Sequence, residues 1–133
     1  MPDRPITVLV VDDNPDFLEL TKLALEVAGI TVITAESGAA AAALLPEAHF
    51  DAAVCDLMME HNDSGFTLAH QIKRKDPAIP VILVTAVAGE AGITFDAAGR
   101  QERSWLQADA VLDKPVRGEE LRRELSRLLK VQI

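Results

Sequence analysis

The sequence predicts an α/β domain built on a parallel sheet with helices on both faces. Three observations predict it. Short apolar, β-branched runs alternate five times with segments of helical periodicity along 133 residues, as successive strand–helix crossovers require. The runs are unbroken rather than alternating apolar and polar, which suits strands buried on both faces. Polar residues stand where the runs end: Asp12 and Asp13, Asp56, Thr85, and Lys114 followed by Pro115. In a parallel sheet the carboxyl ends of the strands share one edge, and ligands bind there.

Each element has a local reason. Residues 6–11, Ile-Thr-Val-Leu-Val-Val, make the first strand. Asn14-Pro15 reads as an N-cap followed by proline at the first helical position. Phe17, Leu18, Leu20, Leu23, Ala24, Leu25 and Val27 give that helix one apolar stripe, and Gly29 ends it as a left-handed cap. Residues 30–35 form the second strand. Ser37 caps a short alanine-rich helix that stops near Pro46. Residues 52–55 form the third strand, ending at Asp56. Ser64 or Gly65 opens a helix carrying Phe66, Leu68, Ala69 and Ile72, and Asp76-Pro77 breaks it. Residues 80–84 and 110–112 are the fourth and fifth strands. Residues 119–131 close the chain as an amphipathic helix with Leu121, Leu125, Leu128 and Leu129 inward. Residues 86–109 hold three of the seven glycines and a poor apolar pattern until Trp105 and Leu106, so a loop followed by a short helix is expected.

The composition narrows the class. At 133 residues the chain is one domain, 1–133, with 49% hydrophobic residues, which excludes a disordered chain. The longest apolar run, residues 39–45, is too short to span a bilayer. The start Met-Pro-Asp-Arg-Pro lacks the regions of a signal peptide. The single cysteine, Cys55, cannot make an internal disulfide, and burial on a strand makes it a small hydrophobe. A cytoplasmic protein is the expectation. The net charge is −8, and no basic stripe is present to neutralise phosphates, so direct nucleic-acid binding and membrane association are not expected.

Three carboxylates, a hydroxyl and an ammonium at one sheet edge suit a divalent cation and a phosphoryl group. Clustered acids repel one another, and a hard cation relieves that repulsion. A strand-end carboxylate can attack a phosphoryl group, in a reaction that needs positioning and charge neutralisation above all. Neither a Gly-x-x-x-x-Gly-Lys-Ser/Thr loop nor a Gly-x-Gly-x-x-Gly turn is present.

This set of strand-end residues resembles the receiver domain of two-component response regulators, a chemotaxis-regulator-like fold, over nearly the whole chain. The resemblance implies a flavodoxin-like (βα)5 three-layer sandwich with strand order 2-1-3-4-5. It implies that Asp56 accepts a phosphoryl group from a histidine kinase or phosphotransfer protein and also ligates Mg²⁺ (or Mn²⁺). Asp13 would be a direct ligand, Asp12 would hold a coordinated water, and the backbone carbonyl of Met58 would be a further ligand. Lys114 would pair with the phosphoryl oxygens, Thr85 would turn its hydroxyl onto one of them, and the amide of Ala86 would donate as well. The Lys114–Pro115 bond would be cis. Such a protein is no enzyme towards other molecules; it catalyses only its own phosphorylation and dephosphorylation. Phosphorylation would switch a protein-interaction surface near the fourth and fifth strands and the last helix, with output through an effector protein or a homodimer. A haloacid-dehalogenase-like phosphatase fits worse, because the second acid it needs is replaced by Met58.

The chain departs from the family pattern in places. Glu60 and Ser64 stand where proline and glycine are usual, with Gly65 one position late, so the loop after Asp56 is one residue longer and brings His61 into it. Val111 replaces the usual aromatic switch residue, leaving Phe95 or Trp105 as substitutes or as core. These departures motivate an alternative: a receiver-like interaction scaffold that does not depend on phosphorylation. Met58 and Val87, which flank the phosphoryl group in this family, are apolar and cannot orient an attacking water. The phosphorylated form is therefore expected to lose phosphate slowly in Mg²⁺ buffer, and a rapid loss measured by intact-protein mass without any phosphatase would refute that expectation.

Overall fold

In a computed structural model of the protein, residues 6–56, 64–85, 109–113 and 116–131 are described. The elements run β1 (Thr7–Val11), α1 (Pro15–Val27), β2 (Thr31–Ala35), α2 (Gly38–Leu44), β3 (Ala52–Asp56), α3 (Ser64–Lys75), β4 (Val81–Thr85), β5 (Ala110–Asp113) and α4 (Gly118–Leu129). The five strands form one sheet in the order β2-β1-β3-β4-β5, and every pairing is parallel. The flavodoxin-like order implied by the resemblance is therefore the order found.

Side-chain alternation along each strand divides the core into two layers. Val8, Val10, Ala52, Val54, Ile82 and Val84 face α1 and α4 and pack with Leu18, Leu25, Leu121 and Leu125. Leu9, Val11, Ala53, Cys55, Val81 and Leu83 face α2 and α3 and pack with Ala41, Leu68, Ala69 and Ile72. Both faces of β3 and β4 are buried throughout. This is why their sequences read as continuous apolar runs.

The predicted caps are in place. The Asn14 side chain accepts from the backbone N–H of Asp16 at 2.9 Å and of Phe17 at 3.3 Å, and the Ser37 hydroxyl accepts from Ala40 at 2.9 Å. Gly29 follows α1 with φ +85°, a backbone conformation that a Cβ disfavours. Strand ends differ by a residue from the sequence expectation: β3 includes Asp56, and β4 runs from Val81 to Thr85.

The expected stripe of α1 is a correction. Leu18, Thr21 and Leu25 face the sheet, whereas Leu20, Leu23 and Val27 are 68%, 50% and 83% exposed. Seven apolar residues in a 13-residue helix exceed what one face can bury, so they form two faces.

At the opposite edge from the strand-end acids, Asp109 ties three segments together. Its Oδ2 accepts from Lys73 Nζ and from the backbone N–H of Val81, each at 2.8 Å. Lys73 also donates to the carbonyl of Ile79 at 2.8 Å. The end of α3 and the starts of β4 and β5 are thus held by one half-buried ion pair. The predicted helix in the stretch before Asp109 lies outside the described residues.

Gly118 opens α4 against α1: a Cβ built there falls 2.7 Å from the Cβ of Ala24. Alanine favours helices more than glycine does, yet here it collides with a packed neighbour helix. Gly118→Ala is expected to lower stability by about 1 to 3 kcal/mol, as overpacking does, measured by urea denaturation; a stabilised variant would show that the two helices separate freely.

Candidate functional site

The parallel register places the acids. Val11 of β1 pairs with Cys55 of β3, so the residues that follow, Asp12 and Asp56, emerge side by side at the carboxyl edge. Asp13 comes next on the chain. One carboxylate oxygen from each of Asp12, Asp13 and Asp56 lies within 4.8 Å of the others. Asp12 is fully buried, Asp56 is nearly so and Asp13 is exposed, so the cluster opens to solvent on the Asp13 side.

Local bonds fix Asp12. Its Oδ1 accepts from the backbone N–H of Asn14 at 2.8 Å, and its own N–H donates to the carbonyl of Ala35 at 3.2 Å. The first bond closes an Asx turn, and Asn14 then caps α1. Asn14 was read from the sequence only as a cap; it also orients the neighbouring acid.

Thr85 ends β4, the strand beside β3, where Asp56 pairs with Val84. Its side chain is 1% exposed, and its Oγ1 has no hydrogen-bond partner among the described residues. Leaving a buried hydroxyl unbonded is costly, so its place beside Asp56 suits a group that an added acceptor satisfies. Lys114, Ala86 and Met58 lie outside the described residues, as do Pro115, Glu60, His61, Val87, Phe95 and Trp105. His49 and His70 are exposed and do not belong to the acidic cluster. Val111 is half-buried against the layer beneath α2 and α3.

The donor set fits a hard divalent cation. It consists of carboxylate oxygens, the ligands such ions prefer, and three like charges within 4.8 Å, two of them out of water, are relieved by a bound positive ion.

A family model described as "Response regulator receiver domain" matches residues 8–126. The chain belongs to the response regulator receiver family. It is 37% identical over 117 residues to the heme response regulator HssR of Staphylococcus aureus strain Newman, an alignment covering 87% of this chain and 48% of that one. With the probable transcriptional regulatory protein TcrX of Mycobacterium tuberculosis the identity is 37% over 83 residues, 62% of this chain and 35% of that one. The chain thus spans at most about half the length of these curated relatives. Among solved structures, the chemotaxis response regulator CheY4 of Vibrio cholerae superposes with a TM-score of 0.78 at 26% identity, covering 94% of this chain and 99% of that one. A CheY-like receiver domain from Methanospirillum hungatei superposes with a TM-score of 0.80 at 24% identity, covering 96% and 95% of the two chains, which speaks for the fold.

Receivers bind Mg²⁺ at an acidic pocket, and Asp12, Asp13 and Asp56 form an acidic cluster at the sheet edge here. None of the helices among the described residues is long and apolar enough to cross a membrane.

Cys55, directly before Asp56, is a bystander to this chemistry. Burial first, and the neighbouring Asp56 carboxylate second, push its thiol up from 9.0 to about 12. The native state therefore holds this proton more tightly than the unfolded chain does. Its contribution to stability is full below pH 9 and is lost as the pH rises from 9 towards 12. In the native protein at pH 8 the thiol is expected to resist alkylation, and to react readily once the chain is unfolded in urea; rapid native-state labelling, read by mass, would contradict this burial.

Proposed function

We propose that Asp56 is the phospho-acceptor of this receiver. The observation that carries the reading is the convergence, at the ends of β1, β3 and β4, of three clustered carboxylates and a buried hydroxyl that has no hydrogen-bond partner among the described residues. An oxygen of Asp56 attacks phosphorus, a P–O bond to Asp56 forms, and the bond from phosphorus to the donor's nitrogen or oxygen breaks. The leaving group departs with the electron pair. Asp12, Asp13 and Asp56, with the backbone carbonyl of Met58, would hold a bound Mg²⁺, whose contribution is to neutralise charge on the phosphoryl oxygens. Thr85 donates its hydroxyl to a phosphoryl oxygen, joined by the amide of Ala86, and Lys114 pairs with the same group as a compact cation.

Asp12 and Asp56 are buried while Asp13 is exposed, so among the described residues the acids meet solvent at Asp13. The protein proposed is cytoplasmic, and its donor is a histidine kinase or phosphotransfer protein, in keeping with how receivers of response regulators work. The chain acts as one receiver unit over 1–133, and its switched surface acts on an effector protein.

Incubation with acetyl phosphate and Mg²⁺, followed by acid quench and intact-protein mass, is expected to add one phosphoryl group to the protein and none to Asp56→Ala. Asp13→Asn is expected to weaken Mg²⁺ binding at least tenfold in the same buffer. An unphosphorylated protein that also fails to bind Mg²⁺ would overturn the reading and favour a scaffold role.

A further inference from the structure

Two aspartates clasp the sheet at the edge opposite the acids, and they do so in the same way. Asp51 stands directly before β3 and Asp109 directly before β5. The backbone N–H of Asp51 donates to the carbonyl of Thr7 at 2.7 Å, and the Asp51 Oδ2 accepts from the N–H of Thr7 at 2.9 Å. The backbone N–H of Asp109 donates to the carbonyl of Val81 at 2.8 Å, and its Oδ2 accepts from the N–H of Val81 at 2.8 Å. Each carboxylate thus supplies the acceptor that the first amide of the neighbouring strand needs. Between these two pairs, β3 and β4 are joined by the N–H of Ala53 to the carbonyl of Pro80 at 3.0 Å. Proline has no N–H to satisfy, so that joint needs no carboxylate.

The clasps fix strand register, and register decides which residues meet at the far edge. With Asp51 held to Thr7, Val8 pairs with Ala52 and Val11 with Cys55. Five residues on from Thr7 and Asp51 stand Asp12 and Asp56. With Asp109 held to Val81, Ile82 pairs with Ala110 and Thr85 with Asp113, and Lys114 is the fifth residue after Asp109. Five residues of strand span about 16 Å, so the clasps act on the site from a distance. The core alone leaves one error open. A slip of one residue reverses the faces, but a slip of two keeps every side chain on its own face. Val8 and Val10 are identical, and Ala52 and Val54 in the same layer are both small, so packing distinguishes those two registers less sharply. A slip of two would carry Asp12 and Asp56 apart by about 7 Å. A single cation with ligands at roughly 2.0–2.1 Å could not then bind both.

We propose that Asp51 and Asp109 are positioning residues of the phosphoryl site, Asp51 through the register of β1 on β3 and Asp109 through that of β4 on β5. The inference rests on the reading of Asp56 as phospho-acceptor. The two act on different parts of the site. Asp51 sets the spacing of the carboxylates proposed to hold Mg²⁺, and Asp109 sets Thr85 against β5, the strand that leads to Lys114. Lys73 donates to the same Oδ2 of Asp109 at 2.8 Å and so ties the end of α3 into the second clasp.

Mg²⁺ binding by calorimetry, and the rate of phosphorylation by acetyl phosphate at saturating Mg²⁺, separate the two clasps in variants shown to be folded by circular dichroism. Asp51→Ala is expected to weaken Mg²⁺ binding about threefold to tenfold, less than the roughly tenfold to hundredfold typical of residues bonded to a metal ligand itself. Asp109→Ala is expected to leave Mg²⁺ binding unchanged and to slow phosphorylation about threefold to tenfold, as small misplacements of reacting groups do. Asp51→Asn keeps an acceptor for the Thr7 N–H without the charge, and should bind Mg²⁺ as the wild type does. In the wild type the amide protons of Thr7 and Val81, although first in their strands, should exchange slowly with deuterated water, a readout that needs no variant. Wild type that binds Mg²⁺ and takes up a phosphoryl group upholds the acceptor reading whatever the variants do. Rapid exchange at Thr7 and Val81 would overturn the clasp inference alone. So would alanine variants that match the wild type, an Asp51→Asn protein as weak as Asp51→Ala, or two folded alanine variants that lose both properties alike.

Discussion

Val11 and Cys55 face each other across β1 and β3, and that pairing decides where the chemistry sits. A slip of one residue would turn every side chain of a strand to the other face. It would bury charge in the layer under the helices and separate Asp12 from Asp56. Such a slip is strongly opposed here, because both faces of β3 are packed: Ala52 and Val54 against one helical layer, Ala53 and Cys55 against the other. The small residues Ala52 and Ala53 let helices approach from either side. The site is thus positioned by the core beneath it.

That positioning works against the stability of the site itself. Burying two carboxylates beside a third, and a hydroxyl with no partner among the described residues, is unfavourable on each count. The apolar layers offset the cost, and the same rigidity keeps the groups from relaxing apart. A cluster held in this way gains most from a ligand that brings positive charge and hydrogen-bond acceptors together. The neutral Cys55 thiol fits the same logic, since a thiolate there would add a further negative charge to the edge.

Much of this was legible in the sequence, because parallel strands announce themselves. Unbroken apolar runs such as Val-Ile-Leu-Val have no polar face, and a polar residue can follow them only where the strand leaves the core. Asp12, Asp56 and Thr85 were readable for that reason, as were the caps Asn14 and Ser37. The stripe of α1 was misread because apolar identity does not say which face is buried: Leu18 and Leu20 look alike in sequence and lie about 160° apart around the helix. The tie between Lys73 and Asp109 escaped notice because it joins residues 36 apart with no periodicity to link them. Val111, singled out as a missing aromatic, is a half-buried packing residue.

Helix α1 connects these two lessons. It begins at the site, where Asp12 bonds to Asn14 and Asn14 caps the helix, and it ends at Gly29, where the chain turns into the edge strand β2. Its inner face packs Leu18 and Leu25 into the layer shared with α4, and Gly118 lets the two helices nearly touch. A change in the position of Asp12 therefore reaches α1 through its cap. The exposed apolar residues Leu20, Leu23 and Val27 ride on that same helix. The outer surface of α1 and the geometry of the site therefore share a physical link, even though none of these three residues belongs to the acidic cluster.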